Sequence, residues 1–196
     1  MARPREYDES RVLSAAADVF WKKGYEGTST RDLASSMGLT ASSIYAAFGD
    51  KRELFYRALN HYLSDTLRAK IEQLDGLDSP SAAIREFFVD IVERSVRDAE
   101  RRGCMLVNSA LEVTSDDAKL RDAIASEVAA IASFFERQLA KARRAEEIDA
   151  DISPKRSSRH LLATLLGLRV LARIHADRAV MTDAVRQALA SVGIRF

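Results

Sequence analysis

Between residues 28 and 51 the chain reads TSTRDLASSMGLTASSIYAAFGDK, and few folds can accommodate that stretch. Thr30 is expected to cap a short helix running to about Met37, and Gly38 is placed to take the left-handed conformation that ends it. A second helix is expected from Ala41 to Ala47, capped by the Thr40 hydroxyl, with Ile44 and Phe48 four residues apart on its buried face. Ala34, Gly38 and Ile44 act together: a small residue allows close helix approach, a glycine makes the turn, and a branched apolar residue locks the second helix onto the first. Two short helices joined in this way fit a DNA groove, so DNA binding is the leading functional expectation.

The flanking residues extend the pattern. Val12, Leu13, Ala16 and Phe20 form an apolar stripe at helical spacing that Gly24 stops, and Asp50 is placed to cap a helix opening at Lys51. With Phe20, Gly24, Tyr25, Thr28, Thr30, Ala34, Gly38, Tyr45, Phe48, Lys51 and Leu54 at these positions, the chain resembles the TetR family of bacterial transcriptional regulators over its first quarter. The resemblance implies an all-α protein of about nine helices: an N-terminal helix-turn-helix DNA-binding domain, residues 1–49, then a helical ligand-binding and dimerisation domain, residues 50–196. It also implies that Thr30, Thr40, Tyr45 and Lys51 grip phosphates. Elementary chemistry agrees, since hydroxyls, a phenol and a cation at first helical turns suit phosphate.

The second helix would enter the major groove with Ala41, Ser42, Ser43 and Ala46 facing outward. The serines can bond base edges and the alanine methyls can touch thymine methyls, but none offers the two-pronged fork of arginine on guanine. Specificity is therefore expected to lean on Arg31, and on Arg3 and Arg5 in the N-terminal tail, which can reach a minor groove.

Composition narrows the remaining classes. At 196 residues and 47% hydrophobic content the chain can bury a real core, yet no stretch approaches the ~18 consecutive apolar residues of a membrane span. The charged start MARPREYDES is unlike a secretory signal, and one cysteine forbids an intrachain disulfide, so a cytoplasmic protein is expected. Net charge is +1, and up to Arg57 nine Lys and Arg face eight Asp and Glu, which argues against avid non-specific DNA binding but leaves a one-faced basic surface open.

Beyond Lys51 the pattern stays helical. Leu54/Phe55, Ala58/Leu59, Tyr62/Leu63 and Thr66/Leu67 recur every four residues and predict one long helix to about Leu74. Further helices are expected over Ile84–Val92, from about Cys104 to Val113, and from near Asp116 through Leu139, with the charged run from Lys141 to Asp151 as a solvated end and loop. Pro80 and Pro154, each behind a serine, look like first helical positions. From about Lys155 to His175 leucines cover most of the helix circumference, and the final helix, about Met181 to Val192, carries one apolar stripe. Such a pair implies a partner, and the resemblance implies a homodimer through a four-helix bundle, with Leu162, Leu165, Leu166, Gly167, Arg169, Val185 and Leu189 at the interface.

The resemblance further implies an apolar cavity for an unknown small-molecule effector, for which Tyr62, Phe87, Phe88, Ile91, Cys104, Met105, Asn108, Phe134 and Phe135 are the candidates, each more readily read as plain core. Asn108 needs a partner if buried: a ligand, Ser109 or a backbone carbonyl. Cys104 follows Arg101, Arg102 and Gly103 at a helix start, a setting that favours thiolate. The run GCMLVNSALE is similar to a segment in a branch of the family that includes sensors of reactive electrophiles. His61, His160 and His175 lack ligand spacing, so no metal, cofactor or enzymatic activity is expected. The expected function is a DNA-binding repressor acting as a homodimer on a palindromic double-stranded operator and released by a small effector. The alternatives are a switch through modification of Cys104, a helical DNA-binding or interaction protein that senses nothing, and an all-helical enzyme.

Overall fold

A computed structural model describes residues 8–114 and 116–196. All regular structure among the described residues is helical: α1 (Glu9–Lys23), α2 (Thr30–Met37), α3 (Ala41–Phe48), α4 (Lys51–Leu63), α5 (Ala69–Asp75), α6 (Pro80–Arg97), α7 (Met105–Glu112), α8 (Ala118–Arg144), α9 (Pro154–Ile174) and α10 (Arg178–Ala190). A π turn, Ser64–Arg68, joins α4 to α5, so counting that run as a single interrupted helix gives nine among the described residues. Arg3 and Arg5 lie outside the described residues.

The chain forms two compact units, the first ending at Leu67 and the second opening at Arg68. The expected division after residue 49 puts α4 on the wrong side. Leu54, Phe55, Ala58, Leu59 and Leu63 are all buried, and α4 packs against α1, giving the first unit five of the fourteen buried hydrophobic residues among its described ones. Phe20 meets Phe55 edge-on at 5.0 Å, Tyr25 lies 5.2 Å from the same ring, and Trp21 packs on Tyr62 at 5.0 Å. Each such aromatic pair is worth about 0.5–1.5 kcal/mol beyond its buried area.

The expected long helix to about Leu74 is continuous through Asp75 but carries the π turn Ser64–Arg68 within it. Thr66 Oγ1 donates to the Tyr62 carbonyl at 2.6 Å, offering the backbone the side-chain bond that accompanies such distortions.

In the second unit α8 and α9 make the most extensive pair, α6 packs on α8, α9 and α10, and α7 lies against α8 and α9. At its centre Phe87 and Phe88 from α6 meet Phe134 and Phe135 from α8, with Phe88 and Phe135 stacked at 5.5 Å and Phe87 edge-on to Phe135 at 5.2 Å. Pro80 and Pro154 do open their helices. The charged run after Lys141 is less open than its composition suggests, since α8 continues to Arg144, Ile148 is buried, and Glu147 accepts from Ser79 Oγ at 2.9 Å and Ser81 N at 2.8 Å. Burial pushes the Glu147 carboxyl up, but these bonds outweigh it and leave its pKa below the usual value.

Candidate functional site

The expected helix-turn-helix is α2 and α3. Gly38 joins them at φ 67° and ψ 31°, a left-handed conformation that a Cβ would strain, and its N–H and that of Leu39 both bond to the Ala34 carbonyl. Leu33, Met37, Ile44 and Phe48 turn inward, and Ala34 is half-buried where the helices approach.

Thr30 is not the cap of α2. Ser29 takes that place: its hydroxyl accepts from Asp32 N at 3.1 Å, while Ser29 N donates back to Asp32 at 3.0 Å. The Ser-x-x-Asp spacing is a capping box and was readable in the sequence; two adjacent hydroxyls competed for the role, and the acid three residues on favours the first. Lys23 Nζ sits 2.6 Å from the same carboxylate, and that bond, followed by those from Ser29, holds Asp32 far below the usual carboxylate pKa.

Released from capping, Thr30 meets Tyr45 across the motif, their hydroxyls 2.8 Å apart. Tyr45 is 44% exposed, so the pair presents two oxygens to solvent at the joint of α2 and α3. Thr40 caps α3 as expected, accepting from Ser43 N at 3.2 Å. Lys51 opens α4 behind the Asp50 cap, its ammonium 4.4 Å from the centre of the Tyr25 ring. Ala41, Ser42, Ser43 and Ala46 are exposed on α3, and Arg31 is exposed on α2.

Of the expected effector-lining residues one lies in the first unit and the others in the second. Tyr62 belongs to the first unit, against Trp21. Phe87, Phe88, Phe134, Phe135 and Met105 are buried in the packed centre of the second unit, with Ile91 half-buried beside them on α6. Asn108 finds the third of its expected partners, Nδ2 donating to the Arg102 carbonyl at 2.8 Å. Cys104 is half-buried immediately before α7, and the Arg102 side chain beside it reaches Asp98 at 3.1 Å and Glu100 at 3.4 Å, so part of the positive charge expected to favour thiolate is already engaged.

The expected pairing residues divide into two groups. Leu165, Val185 and Leu189 are buried within their own chain, as is Arg169, which donates to Ser95 Oγ at 3.0 Å and to the Gly103 carbonyl. These four are not available to a second copy. Arg169 is instead an internal strut tying α9 to α6 and to the loop before α7, a role that only the meeting of three distant segments reveals. Leu162 and Leu166 are half-exposed, Gly167 is exposed, and Val170, Leu171 and Ile174 continue outward, Ile174 at 67% exposure.

A capped helix-turn-helix carrying exposed hydroxyls and a lysine, followed by an all-helical unit, defines the class of helix-turn-helix DNA-binding regulators. Residues 12–58 match the family of bacterial regulatory proteins, tetR family, and residues 80–188 match the tetracyclin repressor-like C-terminal domain. The chain is 35% identical to the uncharacterized HTH-type transcriptional regulator YezE of Bacillus subtilis (strain 168), over 94% of its own length and 96% of the relative's. It is 26% identical to the HTH-type transcriptional repressor ComR of Escherichia coli (strain K12), over 87% and 82% of the two chains. Among solved structures it is similar to a cysteine mutant of the TetR family transcriptional regulator CifR complexed with 26 bp double-strand operator DNA, at TM-score 0.86 and 33% identity, covering 96% of this chain and 99% of that one. The chain belongs to the TetR family and is a helix-turn-helix transcriptional regulator. Among the described residues no helix is long and apolar enough to cross a membrane.

Proposed function

We propose that this regulator is a cytoplasmic repressor that binds a palindromic operator as a homodimer and releases it when the second unit takes up a small effector. The observation that carries the DNA half is the Thr30–Tyr45 hydroxyl pair at 2.8 Å together with Lys51 at the opening of α4. Thr30, Thr40, Tyr45 and Lys51 are the proposed phosphate ligands, with Arg31 and the outward residues of α3 toward the bases. CifR, complexed with operator DNA, supports the reading.

Gly167 supports the homodimer. Beyond its own helix backbone and chain neighbours, a Cβ built there meets no atom of the described residues within 4 Å, so no packing contact there calls for glycine, yet it costs about 1 kcal/mol relative to alanine within a helix. Close approach of a second copy's helix is the physical reason to keep it, and the pairing surface proposed is Leu162, Leu166, Gly167, Val170, Leu171 and Ile174.

The test is fluorescence anisotropy on duplexes from the region flanking the regulator's own gene, with and without a library of small apolar compounds. Saturable binding abolished by one compound is expected. Binding that no compound relieves, but that a thiol-reactive electrophile relieves in the parent and not in Cys104→Ser, favours the second reading, a switch through Cys104. What favours that reading is the position of Cys104 one residue after a carbonyl gripped by Arg169, so that an adduct would press directly on the α9 strut.

A further inference from the structure

We propose that Ala46 reads a thymine methyl group, so that the outward face of α3 specifies each operator half-site in the major groove through thymine. The inference rests on the DNA-binding reading above and names the chemistry of its target.

On α3 Ile44 and Phe48 are 1% and 3% exposed and fix the inward direction. At about 100° per residue the opposite crest falls on Ala46, with Ser42 and Ser43 on either side. All three are exposed. The outward face therefore carries no guanidinium, amide or carboxylate, and the two-pronged contacts that single out guanine or adenine cannot form from it. Tyr45 is the one long exposed side chain of the helix, and it lies on the flank with its hydroxyl on Thr30.

The two serines read bases weakly, because both are tied to Thr40. Thr40 Oγ1 lies 3.0 Å from Ser42 Oγ and 2.8 Å from Ser43 Oγ, and it already accepts from Ser43 N at 3.2 Å. In the unbound protein Thr40, with one proton and one lone pair remaining, donates to one serine and accepts from the other. Outward, one serine then keeps its proton while the other can only accept, and a concerted turn of the three hydroxyls exchanges these roles. Such a reader accommodates opposite base patterns at little cost.

What remains fixed on the crest is the Ala46 methyl. The major-groove edge has one apolar feature, the C5-methyl of thymine, and side chains this small let the helix approach near enough to touch it.

The experiment starts from the tightest duplex selected out of a random-sequence pool by the full-length protein. Each dT is replaced in turn by dU, which removes the methyl and leaves every hydrogen-bonding group in place. At one thymine in each half-site the replacement is expected to weaken binding about fourfold, the effect of losing one buried methyl, with the salt slope unchanged. Ala46→Gly should weaken binding to the dT duplex by a similar factor and cost no more on the dU duplex. Because the dU scan uses the unaltered protein, it decides the matter even if Ala46→Gly folds poorly. If dU is neutral at every position, or if Ala46→Gly loses equally on both duplexes, the methyl contact is overturned while DNA binding stands. Failure of the pool to enrich any duplex overturns both readings.

Discussion

Lys51 stands at the first position of α4, where the helix's own N-terminal field disfavours a cation. The Tyr25 ring beneath its ammonium offsets part of that cost, and a bound phosphate would remove the rest. Lys51→Ala should therefore leave the melting temperature unchanged or slightly raised, weaken binding to all duplexes alike, and lower the salt slope by about one unit in a titration of ionic strength. An unchanged slope would remove Lys51 from the phosphate contacts. Asp32 makes the opposite kind of contribution, to the fold. Its pKa is depressed in the folded chain, chiefly by Lys23 and then by Ser29, so its stabilisation is complete above the usual carboxylate value and is lost as pH falls below it. Because the carboxylate is exposed the effect is modest. Asp32→Asn should melt lower than the parent above about pH 5, with the gap closing below about pH 4, as thermal melts across that range would show. A gap that persists in acid would mean that the capping geometry, and not the charge, holds α2.

At the scale of elements, two glycines with similar φ should respond differently. Gly38 has φ +67° and nothing within 4 Å of an added Cβ, so Gly38→Ala should cost only the left-handed conformation, about 1–2 kcal/mol by urea unfolding. Gly103 has φ +71°, and its Cβ would fall 3.2 Å from both the Arg169 carbonyl oxygen and the Arg173 Cβ on α9. Gly103→Ala should cost about 1–3 kcal/mol more, because the neighbour that must give is helix backbone. Equal costs would mean that the loop before α7 is free to move off α9. That loop is held from several sides: Arg169 takes the Gly103 carbonyl, Arg173 and Asn108 both donate to the Arg102 carbonyl, and Asp98 accepts from Arg102 N at 2.7 Å. The bonds from Asp98 and Asn108 are local, whereas the two arginine bonds from α9 have no sequence signature, because they join segments that are adjacent only once α9 has packed on the loop.

For the molecule as a whole the proposed pairing face gives a clean test. Gly167 has open space around it, so Gly167→Leu spares the packing of its own protomer while placing a bulky side chain where a second helix should approach. Sedimentation equilibrium should then show monomers in place of dimers, with the helical circular dichroism retained, and operator affinity should fall because two half-sites are no longer engaged together. An intact dimer would move the interface away from α9.

What the sequence determined by itself is the local grammar: the helical periodicity, the glycine that ends α2, the caps at Asp50, Thr40 and Ser79, and a helix-turn-helix whose spacing of small, glycine and branched residues is set within twenty amino acids. Those signals are short-range, so they survive without knowledge of what packs where. Only the tertiary structure decided which apolar residues face inward. Leu165 reads as part of an interface because its leucine-rich helix looks sticky all round, and Val185 and Leu189 because the family resemblance pairs the last two helices, yet each is buried by its own chain, and the outward strip lies one helical step from Leu165 at Leu166, Gly167 and Val170. Likewise Phe87, Phe88, Phe134 and Phe135 read as core ahead of pocket, and in the structure the four rings meet at 5.2 to 6.0 Å in the buried centre of the second unit. Periodicity reports that a face is apolar; what covers that face is fixed by contacts between residues far apart in the chain.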